Sequence, residues 1–452
     1  MISSKHIDKI IAAAVVLAVW ACLFIIYASA KDKESPNISE YQKKLFNDEI
    51  AIIDIIADKK EWRELIDDAE KKDWISCDLI INGEIFNGVG IRTKGNSSLS
   101  KVEKSENGRH SLNIKLNKYV KGQTYYGLDT FCLNNMLGDA TYMKEYISYD
   151  ITRYIGVPSP LTNYASVKVN GEDYGFMLVL ERYDEAFLGR AFNTSSGQLY
   201  NVKNSNGNYG GSLIYTGSDK SGYSSIIENS VFKNKSEKHE NRIITAIEYL
   251  NEGIDLEKYW DVDNILRYFA AQVTVVNLKS YLSSQEQNYY LYENKEIISV
   301  LPWSCRLSFG GYPKNISDAS FFVNFPIDTP VYDVNMIERP LLFKLLEFPQ
   351  YKEKYHEYLR QIANGYFLSG LFDETINNLN VKIGDYVKND VSGFYSYEQY
   401  NKALPNFLAF GNLRAQSISG QLDGTVPSTA RNQINDRSSL INASYVKLSE
   451  LG

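Results

Sequence analysis

Gly90-Ile91-Arg92-Thr93-Lys94-Gly95-Asn96-Ser97-Ser98-Leu99 reads as a strand that delivers a basic pair into a Gly-Asn-Ser-Ser turn. Such a turn offers backbone N–H groups and hydroxyls beside a cation, a combination that suits phosphate. The same ten residues also satisfy a plainer description, a surface strand end with a polar turn. Upstream, Trp74 to Ile81 and Glu84 to Arg92 flank Asn82-Gly83. Asn-Gly between apolar runs predicts a hairpin, because both turn positions need positive φ. Further out, 49–55 begins a strand, and 59–72 predicts an amphipathic helix with Trp62, Leu65 and Ile66 on one face. Downstream, Leu112, Ile114 and Leu116 alternate with polar residues, as in a half-buried strand.

The hairpin signature returns at Tyr164 to Val169, Asn170-Gly171 and Tyr174 to Leu180, after a predicted helix over 142–155. A helix over 184–192 follows, then a long loop over 193–222 rich in Gly, Ser, Asn and Tyr. From Ser236 the texture is helical, with helices predicted over 241–250, 262–278, 341–365 and 371–388. Short strands over 288–292 and 297–301 interrupt them. Strands first and helices second predict an α+β, two-lobed layout.

The 452 residues carry a net charge of −7, which argues against a nucleic-acid partner. Four cysteines cannot build a disulfide scaffold, and four histidines without ligand spacing argue against a zinc enzyme. Ile10 to Ala30 is a run of 21 residues without a charge. It would span ~30 Å as a helix, the thickness of a bilayer's hydrocarbon core. Lys5 and Lys9 ahead of it favour a cytoplasmic N-terminus. The expected organisation is a cytoplasmic stub over 1–9, a transmembrane anchor over 10–30, a linker over 31–44 and an extracytoplasmic body held at the cell membrane by a single pass. Ala28-Ser29-Ala30 leaves a cleaved signal peptide as the alternative.

Three further segments stand out: Asn277-Leu278-Lys279-Ser280-Tyr281, Glu286-Gln287-Asn288-Tyr289-Tyr290-Leu291-Tyr292, and Leu301-Pro302-Trp303-Ser304-Cys305-Arg306-Leu307-Ser308-Phe309-Gly310-Gly311. By residue type alone they are a helix end, an aromatic strand and an apolar strand running into a glycine turn. None holds a nucleophile beside a base. Together with 90–99 and Asn170-Gly171-Glu172-Asp173-Tyr174-Gly175-Phe176, they resemble the CotH family of spore-coat-type atypical protein kinases. Segments 261–270, 325–330 and 420–428 extend the resemblance to about 45–425, leaving 426–452 as a polar tail.

The resemblance implies a bilobal kinase-like fold, with a strand-rich lobe over 45–190 and a helix-rich lobe over 236–425. It implies a protein that binds ATP with a divalent metal and phosphorylates Ser on coat or surface proteins. Lys94 would contact the phosphates, with Arg92, Asn96 and Ser97 beside it. Glu145 would orient Lys94, Trp303 would line the nucleotide pocket, and Glu181 would be a second retained acid. The departures carry more weight. Lys279 stands where the family has Asp, and Gln287 where it has His. Ser304 and Arg306 stand where it has the metal-binding acids.

Mg²⁺ needs hard oxygen ligands. A cation in its place repels it, by ~4 kcal/mol for unit charges ~4 Å apart at an effective dielectric of ~20. The expectation is a pseudokinase that binds a partner, with ATP open as a ligand and with neither Mg²⁺ nor Mn²⁺. It would act through an envelope or coat protein, an intact CotH paralogue included. Two other readings stand beside it. One is an active kinase drawing on Glu286, Asp318, Asp139 or Asp261; the other is a non-catalytic surface adhesion module built on the Tyr-rich loop.

Overall fold

The computed structural model describes residues 39–95, 99–103, 108–203, 210–232 and 236–452. Among the described residues ten strands form two sheets: β1 (Ala51–Ala57), β2 (Ile75–Ile81), β3 (Glu84–Lys94), β4 (Ser111–Lys115), β5 (Thr130–Asn134), β6 (Thr162–Val169), β7 (Glu172–Glu181), β8 (Gln198–Val202), β9 (Tyr289–Asn294) and β10 (Ile297–Pro302). Helices of seven residues or more are α1 (Lys59–Asp67), α2 (Lys144–Tyr154), α3 (Glu185–Phe192), α4 (Glu237–Glu252), α5 (Val262–Thr274), α6 (Pro340–Leu346), α7 (Pro349–Ile362), α8 (Leu371–Lys388) and α9 (Tyr397–Asp423).

Both Asn-Gly pairs make hairpin turns, with φ of 50° and 87° at Asn82 and Gly83 and 53° and 82° at Asn170 and Gly171. The second hairpin closes the first sheet. Its β7 pairs antiparallel with β5 while β6 runs parallel to β1, with Ala51 opposite Ala165 and Ile55 opposite Val169. The result is a closed seven-stranded barrel in the order β1-β2-β3-β4-β5-β7-β6. Inward residues such as Ile53, Leu79, Ile91, Ile114, Leu133 and Val179 are fully buried and fill the interior. Closure leaves the barrel no free edge to cover.

This corrects the expected kinase-like bilobal fold preceded by a transmembrane helix. The strand-rich half is a closed barrel, and the later half is mixed, because β8, β9 and β10 form a three-stranded sheet with the order β10-β9-β8. Nor do the halves keep separate cores. Ile147 and Ile151 of α2 and Tyr164 and Phe176 of the barrel share one hydrophobic cluster with Leu266 of α5 and Phe407 of α9. The anchor expected over 10–30 lies outside the described residues. Among the described residues no helix is long and apolar enough to cross a membrane. Even α9, 27 residues long, carries Glu398, Lys402, Arg414 and Asp423. The correction to the expected single-pass membrane localisation is limited to this: the described residues supply no spanning helix for it.

Residues 426–452 return to the helices, with Val446 and Leu451 buried and the Ala140 N–H donating to the Leu451 carbonyl at 3.0 Å. Asp328 is one tie. Its carboxylate accepts from Ser428 Oγ at 2.7 Å, contacts His356 Nε2 at 2.7 Å and pairs with Lys352 Nζ at 3.0 Å. Burial would raise this carboxyl, but the bonds from His356, Ser428 and Lys352 outweigh it and hold it down at about 2. A depressed carboxyl stabilises fully above its unfolded value of 3.8 and loses that contribution as pH falls toward 2. About 2 kcal/mol should therefore disappear between about pH 4 and pH 2. Acid titration of unfolding free energy checks this, and the Asp328→Asn variant should lack that part of the slope.

Candidate functional site

On β3 the period of two sends Thr93 into the barrel wall and Arg92 and Lys94 outward. Thr93 Oγ1 donates to the Ala69 carbonyl at 2.6 Å and is fully buried. The outward faces of β3, β4 and β5 form one wall of a cavity of about 500 Å³. The opposite wall comes from the second sheet and the turns around it, including Asn201, Lys203, Tyr290 and Trp303.

Lys94 is held at the centre. Its Nζ donates to Asn134 Oδ1 at 2.6 Å, and Asn134 Nδ2 donates to Glu145 Oε2 at 2.7 Å. The lysine also lies 5.4 Å from the Trp303 ring centroid. Glu145 sits in the first turn of α2, whose start is fixed by Asp139. That carboxylate accepts from the Lys144 N–H at 2.8 Å and from Thr141 Oγ1 at 2.6 Å. Burial raises the Glu145 carboxyl, against the pull of Lys94, the Asn134 hydrogen bond and Arg306. Arg306 donates to the Leu137 carbonyl at 2.7 Å; burial lowers its pKa and Glu145 opposes that shift. Lys279 is lowered by burial, and then by Arg306 and Lys101. Ser304 has φ of 57°, a left-handed conformation that costs a non-glycine residue about 1–2 kcal/mol. Its N–H donates to the Tyr149 hydroxyl at 3.1 Å.

The cavity thus gathers Arg92, Lys94, Glu145, Lys279, Trp303, Ser304 and Arg306. Asn96 and Ser97 lie outside the described residues. Glu181 is placed elsewhere. It is fully buried and pairs with Arg190 at 2.6 Å while accepting from the Tyr41 hydroxyl at 2.6 Å and the Leu161 N–H at 2.9 Å. The four other carboxylates considered from the sequence do not line the cavity. Asp261 and Asp318 cap helices through the N–H groups of Asn264 and Ser320. Asp139 caps α2, and Glu286 pairs with Arg339 at 3.2 Å.

Lining residues that escaped the sequence reading include Asn134, Arg182, Lys203 and Lys72. Arg182 follows Glu181 directly, and Lys203 lies in the stretch taken for loop. No local pattern marks either as facing β3. Among the described lining residues there are seven Lys or Arg and one carboxylate, Glu145. Among the described residues no group of three or more His, Cys, Asp or Glu could hold a metal ion.

Residues 91–418 match the family model described as CotH kinase protein. The chain belongs to the CotH family. The matched stretch starts at Ile91, inside β3, so every charged residue of the cleft except Lys72 falls within it. This CotH chain is also similar to the inner spore coat protein H of Bacillus subtilis strain 168, at 23% identity over 238 residues. That alignment covers 48% of this chain and 61% of the relative.

Proposed function

We propose that this CotH protein is a coat-associated pseudokinase that binds the phosphates of a nucleotide in the cationic cleft without a divalent metal. The observation that carries the reading is the charge of the cleft: seven cations against one carboxylate, in a chain of net charge −7. That carboxylate, Glu145, is engaged by Asn134 and faces Lys94 and Arg306. A hexacoordinate Mg²⁺ normally takes one or two carboxylates together with phosphate oxygens and waters. A single buried carboxylate among cations does not fit that donor set, so no step is assigned to a metal. Oligophosphate does fit, because Lys and Arg supply charge-assisted hydrogen bonds to its oxygens. Trp303 and Tyr290 add an aromatic wall. In this reading Lys94, whose ammonium donates to Asn134, holds a phosphate. The spore-coat relative supports a role in binding or regulation at the coat, with a coat protein or an intact paralogue as partner.

ATP titration calorimetry on the full chain tests this. The affinity should be the same with Mg²⁺ and with EDTA, should fall with added salt, and should drop about tenfold or more in Lys94→Ala, the loss of one charged hydrogen bond. Radiolabel from the γ-phosphate should not reach protein. Metal-dependent transfer that is lost in Lys94→Ala would replace this reading with an active kinase.

A further inference from the structure

The seven cations do not form one group. Lys94 and Arg306 act on Glu145, with Lys279 beside Arg306. The other four come from four separate places: Lys72 after the turn Ala69–Lys71, Arg92 on β3, Arg182 just past β7 and Lys203 just past β8. Arg92 and Lys94 share the outer face of β3 two residues apart, a step of about 7 Å along a strand.

Neutral groups hold the arginines of this second set. Arg182 Nη1 donates to Asn113 Oδ1 at 2.6 Å, and the same oxygen accepts from Cys132 Sγ at 3.1 Å. The Arg92 guanidinium lies 4.5 Å from the Trp74 ring centroid, and its Nε is buried without a hydrogen-bond partner. Glu70 and Asp184 act on Lys72 and Arg182 through space, but neither lines the cavity. Three of the four are lowered by other members of the set as well as by burial. Arg92 is lowered by burial and by Arg182; Lys203 is lowered by loss of solvent and by Arg182, Arg92 and Lys72. Lys279 answers instead to Arg306 and Lys101.

We infer that Lys72, Arg92, Arg182 and Lys203 form a second phosphate subsite, so that the cleft takes an oligophosphate chain with one phosphate group at Lys94 and another at this set. The inference rests on the anion-binding reading of the cleft and extends it. Two planar guanidinium forks beside two ammonium groups suit the oxygens of a phosphate. Both residues line one cavity, so a chain of phosphates can place one group at Lys94 and another beside Arg92. The ligand class is therefore defined by its phosphates: inorganic oligophosphate, or a nucleotide carrying such a chain.

The test is calorimetry of the full chain with inorganic tripolyphosphate, ATP and adenosine, all in EDTA. Arg182→Gln with Lys203→Gln should weaken tripolyphosphate about tenfold or more. Because Arg182 is held inside the wall, Lys72→Gln with Lys203→Gln serves as a second, milder variant. It should melt no lower than the parent without ligand, since mutual repulsion is relieved, and should lose most of the melting-temperature rise that tripolyphosphate produces. Tripolyphosphate affinity unchanged in both variants overturns the subsite, even if Lys94→Ala weakens ATP. Tripolyphosphate binding that depends on the second set, with ATP no tighter than tripolyphosphate and adenosine silent, supports the subsite while removing the nucleotide reading. Absence of binding by either anion to the unaltered chain overturns both.

Discussion

Combining Lys279→Asp, Ser304→Asp and Arg306→Asn should give a chain whose nucleotide binding Mg²⁺ or Mn²⁺ strengthens by about a hundredfold or more, against the metal-indifferent binding proposed for the unaltered chain. Two cations and a hydroxyl become two carboxylates and an amide around Glu145, which already faces this end of the cleft. Each carboxylate close to a cation is worth a few kcal/mol at an effective dielectric of ~20, and about 1.4 kcal/mol is a factor of ten. The backbone accepts the central change, because Ser304 already has φ of 57°, a conformation that Asp tolerates better than most residues. Single reversions should do little, since a metal site needs its ligands together. Arg306→Asn gives up the bond to the Leu137 carbonyl, so melting temperatures must accompany the titrations. A folded triple variant whose ATP affinity ignores both metals would sink the view that these three positions alone remove the metal.

The second large effect concerns a buried ion pair that joins the barrel to the helices. Arg109 Nη1 lies 2.7 Å from both carboxylate oxygens of Asp390, and neither side chain is exposed to solvent. Asp390 also accepts from the Tyr142 hydroxyl at 3.1 Å and the Phe176 N–H at 3.2 Å. Asp390→Ala leaves a buried guanidinium without its counter-ion, which typically costs 3–5 kcal/mol. Urea unfolding should show a lower midpoint with an unchanged slope. The damage should also reach the cleft, because Arg109 Nη2 donates to the Asn135 carbonyl beside Asn134. Replacing both partners by apolar residues, Arg109→Met with Asp390→Leu, should recover much of the loss. A loss below about 1 kcal/mol in Asp390→Ala would show that solvent reaches the pair.

Local signals were legible where the physics is local. Asn82-Gly83 and Asn170-Gly171 announced their hairpins, because positive φ selects those residues. The helix over 371–388 followed its apolar spacing to the residue. The longest helix, α9, was not read from the sequence, since Pro405, Gly411 and Gly420 interrupt its pattern. Phe367 and Phe372 pack against Gly411, closer than a Cβ there would allow, so tertiary contact sustains a helix that propensity disfavours. The strand β8 was hidden in the same way, its partner β9 lying about ninety residues further along the chain.

The sequence by itself determined the family and the position of Lys94 at a strand end, because these are matters of residue identity in ordered motifs. Only the tertiary structure decided that the first sheet closes into a barrel. Closure depends on β6 meeting β1 across more than a hundred residues, and no local pattern encodes that pairing. The same holds for the cleft. Asn134 between Lys94 and Glu145, and Arg182 and Lys203 beside Arg92, are brought together by strand register and sheet stacking. Charge that is scattered along the chain becomes a site only when the fold removes the solvent between its members.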